Sequence, residues 1–303
     1  MLSGKNFFIT GATGYLGSRI VHKLAERGNK IYCLHRKSSN LSILHDIESK
    51  IIWVNIEQFN YDTFFLINHV DAIIHCATNY GRKEESPLST IEANLILPLK
   101  LLHAASEANA PSFFNTDTVL DKCINNYSLS KSQFVDWLKT FSDRINCVNI
   151  ALQHFYGPGD DPTKFVTFII KSLLREEQCI KLTDGKQRRD FIFIDDAVEA
   201  ILKIIEAYEQ TRVGFHRFEV GSGESTTIRE FVMLIKKLCN NTNTFLDFGA
   251  LPYRKGEVMD VYTNIEELLS LGWMPKINLL SGIEQTIKIE REIIIRNNNR
   301  DNL

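Results

Sequence analysis

Paired cysteines are missing from this chain. Its six cysteines, Cys33, Cys76, Cys123, Cys147, Cys179 and Cys239, are scattered, and none forms a Cys-x-x-Cys. Several sit inside apolar runs, so the sequence predicts reduced core thiols in a cytoplasmic protein, and no metal site. Long basic runs are also missing and the net charge is −2, which gives no reason to expect a nucleic-acid partner. No apolar stretch approaches the ~20 residues that a membrane-spanning helix needs, so no membrane association is expected. The chain enters an apolar strand almost at once. Internal repeats and low-complexity linkers do not occur. With 44% hydrophobic residues over 303 positions, the chain can bury a sizeable core as one large or two modest domains.

What the chain does have is a glycine turn near its start. Residues 5–10 form a short run rich in strand formers, Gly11-Ala12-Thr13-Gly14-Tyr15-Leu16-Gly17 follows, and residues 18–27 place Ile20, Val21 and Leu24 at helical spacing. Strand, tight turn and helix are predicted in that order. Glycines let the backbone approach a pyrophosphate, and a helix N-terminus offers free N–H groups and the positive end of its dipole. The spacing is three and three, unlike the two and three of the commonest dinucleotide fingerprint. A turn that merely packs helix on strand accounts for one of these glycines, not three. Gly11, Thr13, Gly14, Tyr15, Leu16 and Gly17 are therefore candidate cofactor ligands.

The next strand, residues 30–34, runs into His35-Arg36-Lys37-Ser38-Ser39. An acidic residue at this place binds the adenosine ribose 2′-hydroxyl and favours NAD. Cations and hydroxyls suit a 2′-phosphate, so the sequence favours NADPH over NADH. Arg36 is the principal candidate, with His35, Lys37 and Ser38 beside it. A solvated basic turn has the same composition.

In Asn125-Asn126-Tyr127-Ser128-Leu129-Ser130-Lys131 a tyrosine precedes a lysine by four residues, which happens at one of the nine tyrosines. On a helix the phenol and the ammonium then share a face and can touch. A free tyrosine has a pKa of ~10, and a neighbouring cation favours the phenolate and brings the group towards a working range. The same spacing also serves an ordinary surface contact; the glycine turn makes the catalytic reading the better one.

Apolar runs at 51–54 and 72–76, with others at 112–116 and 146–150, read as strands covered on both faces. Helical patterns lie between them, one at 91–107 with Leu95, Leu99 and Leu102 on one stripe. This alternation predicts an α/β fold, a doubly wound parallel sheet with ligand at the carboxyl ends of its strands. From Tyr156 onward the texture changes to loops, short strands and amphipathic helices at 165–174, 228–238 and from about 280, with a frayed tail at 296–303. The expected division is a dinucleotide-binding domain at 1–155, rejoined by about 190–220, and a smaller substrate-binding region at 156–303.

Eight pieces now stand in order: residues 10–17, the helix of Asn94, Thr116 with Tyr127 and Lys131, Tyr156-Gly157-Pro158-Gly159, Gln187-Arg188-Arg189-Asp190-Phe191, Asp195-Asp196, Val220-Gly221-Ser222-Gly223 and Leu271-Gly272-Trp273. In these the chain resembles, over nearly all its length, the extended short-chain dehydrogenases/reductases, the NAD-dependent epimerase/dehydratase family of Rossmann-type nucleotide-sugar enzymes. More narrowly, Ala77-Thr78-Asn79-Tyr80-Gly81-Arg82-Lys83, Phe114-Asn115-Thr116-Asp117, Gln153-His154-Phe155-Tyr156-Gly157 and Asp190-Phe191-Ile192-Phe193 are similar to the CDP-abequose and CDP-paratose synthase group. That group reduces a nucleotide-linked 4-keto-dideoxyhexose with NADPH for O-antigen sugars of lipopolysaccharide. A related group acts on dTDP-linked sugars, and the motifs do not separate the two.

The resemblance implies roles. Thr116 would bond the sugar oxygen at C4, Tyr127 would exchange its proton, and Lys131 would hold the nicotinamide ribose and lower the tyrosine pKa. Ala77 and Thr78 would line the cofactor, with Asn94 bending its helix and binding water beside it. Arg189 and Arg254 would grip the nucleotide diphosphate, Glu257 would face the nucleoside ribose, and Tyr80 and Arg82 would meet the sugar or a phosphate. A homodimer through the helices of Asn94 and Tyr127 is also implied.

Two departures bear on the reaction. Sugar dehydratases follow the Thr with Asp-Glu, whereas this chain reads Thr116-Asp117-Thr118, and only eleven positions separate Thr116 from Tyr127. Water elimination is therefore not expected. Asp117 either positions substrate or caps the following turn, and His154, where most of the family carries Asn, is either a buried histidine or a sugar contact. The activity expected is reduction of a C4 ketone. The alternatives are a 4-epimerase with tightly bound NAD, which uses the same Thr, Tyr and Lys, and a non-catalytic cofactor sensor, a class that usually lacks the Tyr/Lys pair.

Overall fold

The computed structural model describes residues 2–82, 86–209 and 213–301, the last four by backbone alone. β1 (Asn6–Thr10) leads through the glycine turn into α1 (Tyr15–Glu26), followed by β2 (Lys30–His35), β3 (Ile51–Asn55), α2 (Tyr61–Ile67) and β4 (Ala72–His75). Then come α3 (Pro87–Ile91), α4 (Leu97–Glu107), β5 (Ser112–Thr118), α5 (Asn126–Thr140), β6 (Asn146–Leu152), β7 (His154–Tyr156), α6 (Phe165–Leu174) and β8 (Cys179–Leu182). The chain ends with β9 (Arg188–Phe193), α7 (Ile194–Tyr208), β10 (Gly214–Val220), β11 (Ser225–Thr227), α8 (Ile228–Leu238), β12 (Phe245–Phe248), α9 (Glu266–Ser270) and α10 (Leu279–Asp301).

Two compact units result: Met1–Leu152 with Val198–Val220 and Glu267–Trp273, and Gln153–Ala197 with Gly221–Glu266 and Met274–Leu303. The first unit's core sequence thus ends at Leu152 rather than at 155. It is rejoined at Val198, later than the expected 190, because β9 pairs with β7 and β11 instead of with the large sheet. The short return at Glu267–Trp273 was not expected from the sequence; the burial of Leu268 and Trp273 is what fixes it.

In the first unit seven parallel strands stand in the order β10-β6-β5-β4-β1-β2-β3. The order runs outward both ways from the β1/β4 pair, the switch point where ligands bind in doubly wound folds. This is a Rossmann-type sheet. Its register sets Leu34, Thr10, His75, Asn115 and Asn149 in one row across five strands. Inside, Phe8, Phe113 and Phe134 are fully buried in a cluster with Tyr32, Phe65 and Leu138, and the Phe8 ring lies 5.2 Å from both Phe64 and Phe65. Burial on both faces is why the strands read as continuous apolar runs.

The helix expected at 91–107 begins earlier, at Pro87, and carries one wide turn, Glu92–Ile96, before α4. Pro98 has no N–H to return to the preceding turn, so the α-helical ladder is interrupted just there.

The second unit holds two small sheets. β9 lies between β7, to which it is parallel, and β11, to which it is antiparallel, while β8 and β12 form a parallel pair. The Phe191 and Phe231 rings stack with centroids 3.8 Å apart. α10 contradicts the frayed tail, since its helix continues to Asp301. The anchor is its buried middle, where Ile283 and Ile287 pack and the Glu290 carboxylate accepts from Gly159 N at 2.8 Å and pairs with Lys171 at 3.3 Å. No helix among the described residues is long and apolar enough to cross a membrane.

Asp190 organises this unit. Fully buried, it accepts from Ser222 N (2.8 Å), Ser222 Oγ (2.7 Å), Gly223 N (2.9 Å) and Thr263 Oγ1 (2.6 Å). Removing the carboxylate strands these donors. Asp190→Ala is expected to cost about 3 kcal/mol of unfolding free energy, read as a fall in the urea midpoint; an unchanged midpoint would contradict this role.

Candidate active site

The glycine turn forms a cradle in the first unit. Gly11 adopts φ +68°, a left-handed conformation, and a Cβ there would stand 2.6 Å from Ala77 N. A Cβ at Gly17 would overlap the Gly11 carbonyl, which also accepts from Gly14 N at 2.9 Å. Gly14 caps α1 without a side chain, and the first turn of α1 contains no acidic residue. A helix N-terminus so bared, facing a turn where no side chain fits, suits the pyrophosphate of a dinucleotide. Thr13 is half-buried here, Leu16 is buried, and the Tyr15 ring lies under Arg19 at 3.9 Å. Ala77, next to Thr78, closes the other side and donates its N–H to Thr10 Oγ1 at 3.1 Å.

At the end of β2, Arg36, Lys37 and Ser38 are exposed. Ser39 N donates to Arg36 O (2.9 Å) and Arg36 N to Ser39 Oγ (3.1 Å), while the half-buried His35 ring stands edge-on to Trp53 at 5.5 Å. An acid does stand here after all. Glu57, which follows β3, accepts from Lys37 N at 3.0 Å. A reading of β2 alone could not find it.

Tyr127 lies in the first turn of α5, whose start is fixed by a reciprocal cap: Ser128 N donates to Asn125 Oδ1 (2.8 Å) and Asn125 N to Ser128 Oγ (3.4 Å). Lys131, one turn on, is 1% exposed and donates from Nζ to the Thr116 carbonyl at 2.8 Å. Burial lowers its pKa from 10.5 to about 8, against which Asp117 and Cys76 act. The Thr116 hydroxyl in turn donates to the His75 carbonyl at 2.9 Å.

These bonds correct the expected electrostatics. The Lys131 ammonium faces the β5 backbone, and the Tyr127 pKa is raised, not lowered. Burial is the main cause and the neighbouring Tyr80 adds to it; a hydrogen bond with Thr118 opposes it, Asp117 raises it further, and Arg82 is the cation that lowers it. Tyr80 and Arg82 accordingly belong to the surroundings of Tyr127: the two tyrosine rings lie 5.1 Å apart, and Arg82 sits 4.9 Å over Tyr80. Lys83 lies outside the described residues.

Thr118 was missed by the sequence reading, although its place in the Thr-Asp-Thr run marked it as unusual. Its hydroxyl oxygen also accepts from Leu120 N at 3.2 Å. Asp117 does not cap that turn. It accepts from Asn149 Nδ2 (2.8 Å), and Asn149 Oδ1 accepts from Asn115 Nδ2 (2.7 Å), so two neighbouring strands aim the carboxylate. Asn94, buried in the wide helical turn, accepts from Asn79 N and donates to Asn79 O, both at 2.8 Å, and donates to Ser130 Oγ at 3.0 Å. It ties the loop after β4 to α5.

The second unit gathers His154, Arg189, Arg254 and Glu257. Arg189 is buried and donates from Nη1 to Arg188 O (2.7 Å) and Val258 O (2.8 Å), while Nη2 pairs with Glu257. Arg189, expected to grip the diphosphate, and Glu257, expected to face the ribose, are thus paired with each other. Arg254 is exposed. Burial lowers the His154 pKa to about 4, and the charges of Arg189, Arg254 and Lys164 act in the same direction. The imidazole is neutral, in a field suited to an anion.

Lys131 gives a test of burial. Its folded pKa, about 8, lies below its ordinary 10.5, so between those values the unfolded chain binds more protons and stability rises with pH. Relative to Lys131→Met, the wild type is expected to gain about 2 kcal/mol of unfolding free energy from pH 8 to pH 10.5, measured by urea titration at each pH. A difference that stays flat would place the ammonium in water.

The NAD dependent epimerase/dehydratase family matches residues 7–221. CDP-abequose synthase of Salmonella typhimurium is 32% identical over 291 residues, covering 92% of this chain and 96% of that protein. Among solved structures, UDP-glucose 4-epimerase of Thermotoga maritima with UDP-glucose superposes with a TM-score of 0.81 at 22% identity, covering 95% of this chain and 99% of the other. UDP-glucuronic acid 4-epimerase of Bacillus cereus, in complex with UDP-glucuronic acid and NAD, gives 0.82 at 18% identity, covering 95% and 99%. Glycine cradle, sheet order and Tyr/Lys helix agree with that match, and the chain belongs to the NAD-dependent epimerase/dehydratase family.

Proposed function

We propose that this protein is an NADPH-dependent oxidoreductase that reduces the C4 ketone of a nucleotide-linked 4-keto-(di)deoxyhexose, CDP- or dTDP-linked, for O-antigen or related surface-polysaccharide sugars. The observation that carries this is the Thr116-Asp117-Thr118 run at the end of β5, which sets a threonine ahead of Tyr127 at the position where an eliminating enzyme needs a carboxylate. The 32% identity to a CDP-abequose synthase supports the choice of substrate class.

NADPH, when bound, would supply the hydride for C4. Tyr127 gives its phenolic proton to O4 as the ketone becomes an alcohol, then recovers a proton from solvent. Lys131, steadied by the Thr116 carbonyl, holds the nicotinamide ribose. The Gly11–Gly17 turn takes the pyrophosphate and Arg36 the 2′-phosphate. Arg254 grips the sugar's diphosphate, with His154 beside the sugar. Six free cysteines accord with a cytoplasmic setting, and Leu129 and Trp137, exposed on α5, with a homodimer through that helix.

The reading is tested by adding NADPH and a panel of CDP-, dTDP-, GDP- and UDP-linked 4-keto sugars, following NADPH absorbance and the product by NMR. A 4-epimerase would instead retain NAD through purification and consume no NADPH. Tyr127→Phe should bind NADPH normally and turn over about 10²–10⁴-fold more slowly; wild-type turnover in that variant would sink the assignment. Arg254→Lys keeps the charge but loses the planar fork, so KM for the nucleotide sugar should rise about tenfold with kcat and NADPH affinity retained. A loss of NADPH affinity alone would move Arg254 to the cofactor site.

A further inference from the structure

The end of β3 reaches the same level as the end of β2, since the parallel register sets Asn55 beside His35. Asn55 Oδ1 then accepts from Glu57 N at 2.9 Å and opens a single 3₁₀ turn, Ile56–Gln58. That turn carries the Glu57 carboxylate to the basic segment after β2, where Oε1 accepts from Lys37 N at 3.0 Å. The bond from Lys37 is the main reason its pKa is lowered, and the charges of His35 and Arg36 add to it. The 36–39 turn closes on itself without Glu57, through Ser39 N to Arg36 O at 2.9 Å and Arg36 N to Ser39 Oγ at 3.1 Å. A neutral acceptor would serve Lys37 N equally well, so the fold does not require a charge at this position.

We infer that Glu57 is a specificity-determining residue, whose carboxylate weakens binding of a 2′-phosphorylated nicotinamide nucleotide at Arg36 and so keeps the preference for NADPH over NADH small. The inference rests on reading the end of β2 as the adenosine-ribose site. A phosphate monoester carries nearly two negative charges at neutral pH. It would approach Arg36 with the Glu57 carboxylate held at the next residue, where the Lys37 N–H, a natural phosphate donor, is already engaged. A ribose with a free 2′-hydroxyl brings no charge for Glu57 to repel, and a glutamine there would still offer it an acceptor. Arg36, Lys37 and Glu57 are exposed, so the repulsion is screened and its effect is limited.

Glu57→Gln removes the charge and keeps an acceptor for Lys37. Wild type and variant would be titrated calorimetrically with NADPH and NADH, and with adenosine 2′,5′-bisphosphate and adenosine 5′-monophosphate, at low and high salt. The 2′-phosphorylated ligands should bind about fivefold more tightly to the variant, their counterparts should be unchanged, and the gain should shrink at high salt. An unchanged ratio, or an equal change for both classes, overturns the inference and leaves the reductase reading standing. If the wild type binds neither NADPH nor NADH, that reading and the inference fall together.

Discussion

The His75 residue ties together the strand ends on which the candidate site is built. Its Nδ1 shares a hydrogen bond with Thr10 Oγ1 at 2.8 Å, and Thr10 Oγ1 accepts from Ala77 N at 3.1 Å, which holds the loop after β4 against the glycine turn. Its carbonyl accepts from Thr116 Oγ1 at 2.9 Å, and the Thr116 carbonyl accepts from Lys131 Nζ at 2.8 Å. Three strand ends and the first turns of α5 are thus linked by consecutive bonds. The imidazole is fully buried, and burial, with help from Lys131, lowers its pKa well below the ordinary value. It stays neutral, so the row costs no buried charge at its centre.

Burial also decides how the Tyr127 and Lys131 side chains are charged. It disfavours the phenolate of Tyr127 and the ammonium of Lys131 alike, moving one pKa up and the other down. A tyrosine that holds its proton is a donor, and a lysine fixed to a backbone carbonyl is a positioned cation rather than a mobile one. Thr118 and Arg82 act in the opposite sense on Tyr127 and limit the rise. At Tyr127 burial outweighs these opposing effects.

Some of this was legible in the sequence. The glycines of residues 11–17 announced their turn because only glycine fits where the backbones of Gly11 and Ala77 meet. The strands showed because a sheet buried on both faces needs unbroken apolar runs. Other features were hidden in pairs far apart along the chain: Lys37 with Glu57, Asp117 with Asn149, and Arg189 with Glu257, the last separated by 68 positions. Local spacing holds no information about such partners. Asp117 and Arg189 therefore looked available for ligand when each already had a protein partner.

By itself the sequence determined the alternation of strands and helices, the turn that admits a pyrophosphate, and the presence of a tyrosine and a lysine one helical turn apart. Those follow from local rules: side-chain periodicity, glycine's conformational freedom and the pitch of a helix. Only the tertiary structure decided where β9 pairs, that the Tyr80 ring lies beside Tyr127, that Arg189 pairs with Glu257, and that an acid is bonded to the backbone at Lys37. Charge, hydrogen bonding and burial depend on what the fold brings within a few ångströms, and that distance is not written in residue spacing.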